Sequence, residues 1–216
     1  MIEKQQVLSL LHAKQWDRME AEVRANPRFI DALIWALYRP DESLAWRAVE
    51  GFGRAAAAVA GVDIELCIDR IGRLGWALSE ESEIFARLAA PAIGEAIARA
   101  PEPFVENAPM ILAALRQPRL QAGAAWALGR IGSLWPDMVR PAAPRVMPLL
   151  KSQDAEVRGC AAWALGEMIA VEALPELQAL VSDTSALKKY QDASLHDTTV
   201  GELAAAAYEK IKNSQS

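Results

Sequence analysis

DAEVRGCAAWALGE, running from Asp154 to Glu167, is the stretch whose reading decides the fold. Val157, Cys160, Ala161, Ala164, Leu165 and Met168 recur at i, i+3 and i+4, which draws one apolar stripe along a helix. Asp154 precedes the stripe as an N-cap residue. Gly166 falls inside the helical pattern, where glycine costs about 1 kcal/mol against alanine. A glycine kept at such a place needs a packing reason.

The same pattern recurs along the chain. Trp46 to Arg54 (WRAVEGFGR), Arg87 to Glu95 (RLAAPAIGE), Ala122 to Arg130 (AGAAWALGR) and Gly159 to Glu167 (GCAAWALGE) align without gaps, and Glu202 to Lys210 (ELAAAAYEK) is a weaker fifth copy. Gly53, Gly94, Gly129 and Gly166 are 41, 35 and 37 residues apart, the period of helix-pair repeats. Glycines in register, set among alanines, predict close approach of neighbouring helices. A second helix is expected before each copy, over Pro27 to Tyr38, Val62 to Leu78, Pro103 to Leu115, Pro136 to Leu150 and Val171 to Val181. Pro27, Pro103 and Pro136 stand at helix starts, where proline is tolerated. Pro141, Pro144 and Pro148 should break the fourth of these helices, and Pro91 should disturb its own.

The motif D-x-x-V-R-x-x-A-A-x-A-L-G, spelled by Asp154, Val157, Arg158, Ala161, Ala162, Ala164, Leu165 and Gly166, resembles the HEAT-like repeat of the type named after the phycobilisome (bilin) lyases. The copy ending at Gly129 keeps A-A-x-A-L-G and the copy ending at Gly94 keeps A-A-x-A-I-G. The resemblance covers roughly residues 27 to 212. It implies an all-α fold, a right-handed α-α superhelix of about five helix pairs with the motif-bearing helices on its concave side. Residues 1–26 are expected to form an N-terminal helical cap, burying Val7, Leu8, Leu10 and Leu11, and residues 27–216 one continuous HEAT-like solenoid. Between Val181 and Val200 the helical stripe stops. Leu187, Tyr190 and Leu195 flank Asp192-Ala193-Ser194, which predicts a small hairpin near residues 186–199 inserted in the last repeat.

The register of the repeats selects candidate binding residues. Two positions from a core leucine is about 200° around a helix. Trp126, two before Leu128, and Trp163, two before Leu165, therefore leave the apolar stripe and should be partly exposed. Glu50 and Pro91 share their column. One turn on lie Arg54, Glu95, Arg130, Glu167 and Lys210, alternating in sign; one turn before lie Trp46 and Arg87. This strip is either a ladder of ion pairs tying repeats together or a surface that orients a ligand, and the two tryptophans either bind a partner or pack over the neighbouring repeat. Trp35 and Trp76, on the preceding helices, are expected in the core. The candidate partner-binding residues are thus Trp46, Glu50, Arg54, Arg87, Glu95, Trp126, Arg130, Trp163 and Glu167. A basic stretch (Arg116, Arg119, Arg130, Arg140, Arg145, Lys151) followed by an acidic one (Asp154, Glu156, Glu167, Glu172, Glu176, Asp183) could also steer a polar partner.

Composition bounds the function. The 23 Lys and Arg against 28 Asp and Glu leave a net charge of -5, which argues against a general nucleic-acid binder. Cys67 and Cys160 read as buried thiols of a reducing compartment, and with His12 and His196 they have no metal-ligand spacing. No cofactor is implied. The N-terminus has no signal-peptide core and no apolar run reaches membrane-span length, so a cytoplasmic location is expected. No catalytic triad or phosphate loop is suggested; Gly51-Phe52-Gly53 follows no strand. The reading is a non-catalytic scaffold or adaptor that holds another protein or peptide. Two alternatives come from resemblance: a bilin-lyase-like attachment factor, on the repeat motif, and a protein like the HEAT-like alkyl-purine DNA glycosylases, on Trp126, Trp163, Arg130 and Glu167.

Overall fold

The structure is a computed structural model and describes residues 2–79 and 86–215. These fall into two compact units, one comprising Met1–Met110 with Tyr190–Leu195, the other Ile111–Lys189 with His196–Ser216.

The first unit opens with α1 (Ile2–His12), α2 (Trp16–Ala25) and, after a 3-10 turn at Pro27–Phe29, α3 (Ile30–Ala36). Its central element is α4 (Glu42–Ala60), followed by α5 (Ile64–Ala77), α6 (Ala89–Arg99) and the short α7 (Pro101–Phe104). The starts of α4 and α5 are fixed by aspartates. Asp41 accepts from the Leu44 N–H and Asp63 from the Leu66 N–H, each at 3.0 Å. Phe29, Phe52, Leu33, Ile71, Leu74, Ile93 and Ile97 are buried around α4. Val7, Leu10 and Leu11 are buried as well, and Leu11 and Met19 reach α4 at Gly51.

Pro91 disturbs its own helix as expected: Arg87 and Leu88, after the helical Ala86, form a turn, and α6 begins only at Ala89. Pro91 is the third residue of α6, and a first-turn residue has no intrahelical acceptor for the N–H that proline lacks.

The second unit follows α8 (Ala108–Ala114) with α9 (Gln121–Gly132), then α10 (Pro136–Val139), α11 (Ala143–Val146), α12 (Ala155–Glu167) and α13 (Leu174–Leu180). The proline-rich stretch is broken as expected. Pro141 and Pro148 each stand second in a 3-10 segment, Arg140–Ala142 and Met147–Lys151, and Pro144 lies in the first turn of the intervening helix. Strands β1 (Ala186–Gln191) and β2 (Ser194–Thr199) form the hairpin, and α14 (Val200–Asn213) closes the chain. Asp192 and Ala193 carry φ of 51° and 57°, the sign required by a two-residue primed turn. Thr199 and Glu202 make a capping box at the start of α14.

In register with the glycines, the motif-bearing helices pack directly on one another: α4 on α6, and α12 on both α9 and α14. A Cβ on Gly53 would lie 2.6–2.9 Å from Glu95, on Gly129 2.8 Å from the Trp163 ring, and on Gly166 2.6 Å from Ala207 Cβ. Close approach is therefore the reason for these three. Cys67 and Cys160 are buried free thiols. Burial, with the Asp63 charge, pushes Cys67 up to about 11, and burial pushes Cys160 up too.

Candidate functional site

The sequence-predicted residues gather in two groups, one in each unit. In the first unit, α4 carries Trp46, Glu50 and Arg54 at successive turns, and α6 carries Glu95. Trp46, Glu50 and Glu95 are buried. They are covered by the hairpin tip. Tyr190 stacks on Trp46 with ring centroids 5.5 Å apart and planes 15° from parallel. Its hydroxyl donates to Glu50 Oε2 at 2.9 Å. Arg54 Nε donates to Glu50 Oε1 at 3.0 Å and Arg99 Nη2 to the same oxygen at 3.3 Å, so this buried carboxylate has three donors. Burial first, then the Glu50 charge, raises the Tyr190 pKa; the phenol stays protonated and donates. The tip is held further by Arg47, whose Nε donates to the Ala193 carbonyl at 3.0 Å, and by Lys14, whose Nζ donates to Ser194 Oγ at 2.9 Å.

Arg54 also pairs with Glu20 at 3.2 Å and lies 5.2 Å over the Trp16 ring. Glu95 pairs with Arg99 at 3.3 Å, and Arg87, exposed, bonds Glu42. In this unit the charges are thus partnered along and between helices, with Glu20, Glu42, Glu50 and Arg99, which lie outside the column of Arg54 and Glu95.

In the second unit, Trp126 of α9 meets Trp163 of α12 at a centroid distance of 5.9 Å and a 43° tilt. Gly129 makes room for the Trp163 ring across α9. The Trp163 Nε1–H donates to Glu167 Oε1 at 2.9 Å, and Lys210 of α14 bonds the other oxygen of Glu167. Lys189 of β1 lies 4.9 Å over the Trp163 ring. Arg130 donates to Ser133 Oγ at 3.0 Å.

Two expectations about tryptophans are corrected. Trp126 is only 4 % exposed, because α12 covers the side of α9 that faces away from its own apolar stripe; Trp163 is half-buried. Trp76 is 69 % exposed and outside the core. Trp35 is half-buried, with Lys4 and Arg39 at 4.8 and 4.9 Å from its ring. Sequence reasoning missed Lys189 and Tyr190 as site residues. Both come from the insert, whose destination no helical register specifies.

Among the described residues no three His, Cys, Asp or Glu side chains are grouped to hold a metal ion, and no helix is long and apolar enough to cross a membrane.

Comparison with known proteins agrees with this architecture. A family model for HEAT repeats matches residues 109–191. No curated protein matches the chain. Two crystal structures of engineered proteins from the Northeast Structural Genomics Consortium are similar in fold. One has 21 % identity and a TM-score of 0.54, over 99 % of this chain and 98 % of that one. The other has 22 % identity and a TM-score of 0.53, over 91 % of this chain and 50 % of that one. The archaeal HEAT-like repeats protein from Thermococcus onnurineus NA1 aligns with 17 % identity and a TM-score of 0.45, over 97 % of this chain and 80 % of that one. Residues 109–191 thus match HEAT repeats, and the described residues have a helical HEAT-like fold with one small two-stranded sheet.

Proposed function

We propose that the protein is a non-catalytic scaffold that holds a partner polypeptide on the face of its motif-bearing helices. The observation that carries this reading is Trp163. Its ring is fixed on one side by Trp126 and at its nitrogen by Glu167, yet it remains partly exposed. A rigid indole with an accessible edge is the commonest kind of interaction anchor, because little conformational entropy is lost when a partner settles on it. Lys189 covers the ring with a flexible side chain that a partner's aromatic or proline residue can displace. HEAT repeats offer such faces in many settings, so the fold supports this class of function without specifying the partner.

The test is a displayed peptide library selected on the full chain, with selected peptides titrated by calorimetry against the wild type and Trp163→Ala. The substitution should weaken binding at least about tenfold, the effect of an interface aromatic. Peptides that bind both proteins equally would refute the site, and a library that yields no binder would refute the scaffold reading.

A further inference from the structure

Beyond that reading, a helix of the first unit exposes an apolar and charged face. Helix α5 buries Cys67, Arg70, Ile71, Leu74 and Ala77. Its opposite side exposes two adjacent columns. One is apolar: Ile64 at 36 %, Ile68 at 49 %, Gly72, and Trp76 at 69 % exposure. The other is charged: Glu65, Asp69 and Arg73. An apolar column about 18 Å long, notched at Gly72 and ending in an exposed indole, is unusual on the surface of a monomer.

We infer that this face is a self-complementary interface, and that its occupant is α5 of a second copy of this chain, packed antiparallel about a two-fold axis near position 70. The pattern of the column itself points to this partner. Antiparallel pairing about that axis sets Ile68 opposite Gly72 and Ile64 opposite Trp76, so each large side chain meets the smaller member of the pair. A Cβ placed on Gly72 meets nothing within 4 Å, leaving a notch that the Ile68 of the other copy can fill. Such a two-fold contact is isologous, so every favourable pair occurs twice.

The charged column fits the same axis. A two-fold perpendicular to the helices keeps that column on the same flank in both copies and reverses its direction. Glu65 then lies about 3 Å along the helix from the level of Arg73 of the other copy, within reach of two long side chains, once on either side of the axis. Glu65 has no ion-pair partner of its own among the described residues. Asp69 is shared between Arg70 and Arg73, the latter at 3.2 Å, and Arg73 remains well exposed. Its guanidinium has donors left for a second carboxylate. A parallel arrangement would set Glu65 on Glu65 and Arg73 on Arg73, which like-charge repulsion disfavours.

Sedimentation equilibrium of the full chain over about a hundredfold range of concentration tests the proposal. The wild type should dimerise reversibly. Trp76→Glu and Gly72→Glu, both on the surface, should each raise the dissociation constant at least about tenfold while leaving the circular dichroism of dilute protein unchanged. Glu65→Arg and Arg73→Glu should each weaken self-association, and an equimolar mixture of the two should regain it as a heterodimer. A wild type that stays monomeric throughout would overturn the proposal. So would a dimer indifferent to Trp76→Glu, or charge variants whose mixture fails to associate.

Discussion

Tyr190 lies flat on Trp46 and bonds Glu50 through its hydroxyl, joining residues 140 and more positions apart in sequence. The stack contributes about 0.5–1.5 kcal/mol beyond the area it buries. The hydroxyl supplies one of three donors to a buried carboxylate whose other two are arginines. Tyr190→Phe keeps the stack and removes one donor, so chemical denaturation should show a loss of about 1.5–3 kcal/mol. Tyr190→Ala removes both and should lose roughly 3–5 kcal/mol. If the two variants are equally stable, the ring contributes nothing and the contact is incidental.

Gly166 tests the reason for the glycine register. An added Cβ would stand 2.6 Å from Ala207 Cβ and 2.7 Å from its Cα, and a backbone atom cannot swing aside as a long side chain can. Gly166→Ala should therefore destabilise by about 1–3 kcal/mol despite the better helix propensity of alanine. Gly61, at the end of α4 with φ of -77° and open space around its Cβ position, is the control. Gly61→Ala should be neutral or stabilise by up to about 1 kcal/mol. Equal melting-temperature shifts for the two would remove close approach as the explanation.

The repeat was legible in the sequence because its cause is local. One glycine per period marks each close approach, three prolines mark a broken helix, and an Asp-Ala-Ser turn between apolar residues marks the hairpin. The exposure of single tryptophans was not legible. Trp126 leaves its helix stripe yet is buried, since a helix stacked between neighbours is covered on more than one side. Trp76 lies on a preceding helix, where an aromatic is expected in the core, yet it stands two positions after the buried Leu74 and so about 200° away from it. Offset from the stripe predicts exposure on α5, which lines no such stack on that side, and fails on α9. The contacts of Lys189 and Tyr190 lay beyond any register, because a hairpin insert reaches residues far away in the chain.

Ile169 ends α12 with φ of 54°, a left-handed conformation that β-branched residues rarely adopt. The turn is needed: the Ile169 N–H donates to the Gly166 carbonyl at 3.2 Å and the Ala170 N–H to the Leu165 carbonyl at 3.1 Å, closing the helix end. Glycine adopts this φ without steric strain. Ile169→Gly should raise the unfolding free energy by about 1 kcal/mol, less whatever the half-buried side chain contributes by packing. Ile169→Val keeps the branch and the strain and should give no gain. A thermal melt in which the glycine variant is less stable than the valine variant would show that packing of the branched side chain outweighs the strain.

Asp183 gives the protein a defined response to acid. Hydrogen bonds from Ser185, through its side chain and its backbone N–H at 2.9 Å, and from Arg158 Nε, also at 2.9 Å, hold its carboxyl below the usual aspartate value. The bonds from Ser185 lower it most. A carboxyl depressed in the folded state binds its proton more readily when unfolded. Its contribution is therefore fully present above the unfolded value of about 3.9 and is lost as pH falls from there through the lower folded value. Asp183→Asn keeps an acceptor for the Ser185 N–H but carries no charge for Arg158, so it should be less stable than the wild type at neutral pH. Urea unfolding at a series of pH values should show that gap constant down to about pH 5 and narrowing below pH 4. A gap that is the same at acid and neutral pH would mean that the charge of Asp183 has no part in holding the start of the hairpin to α12.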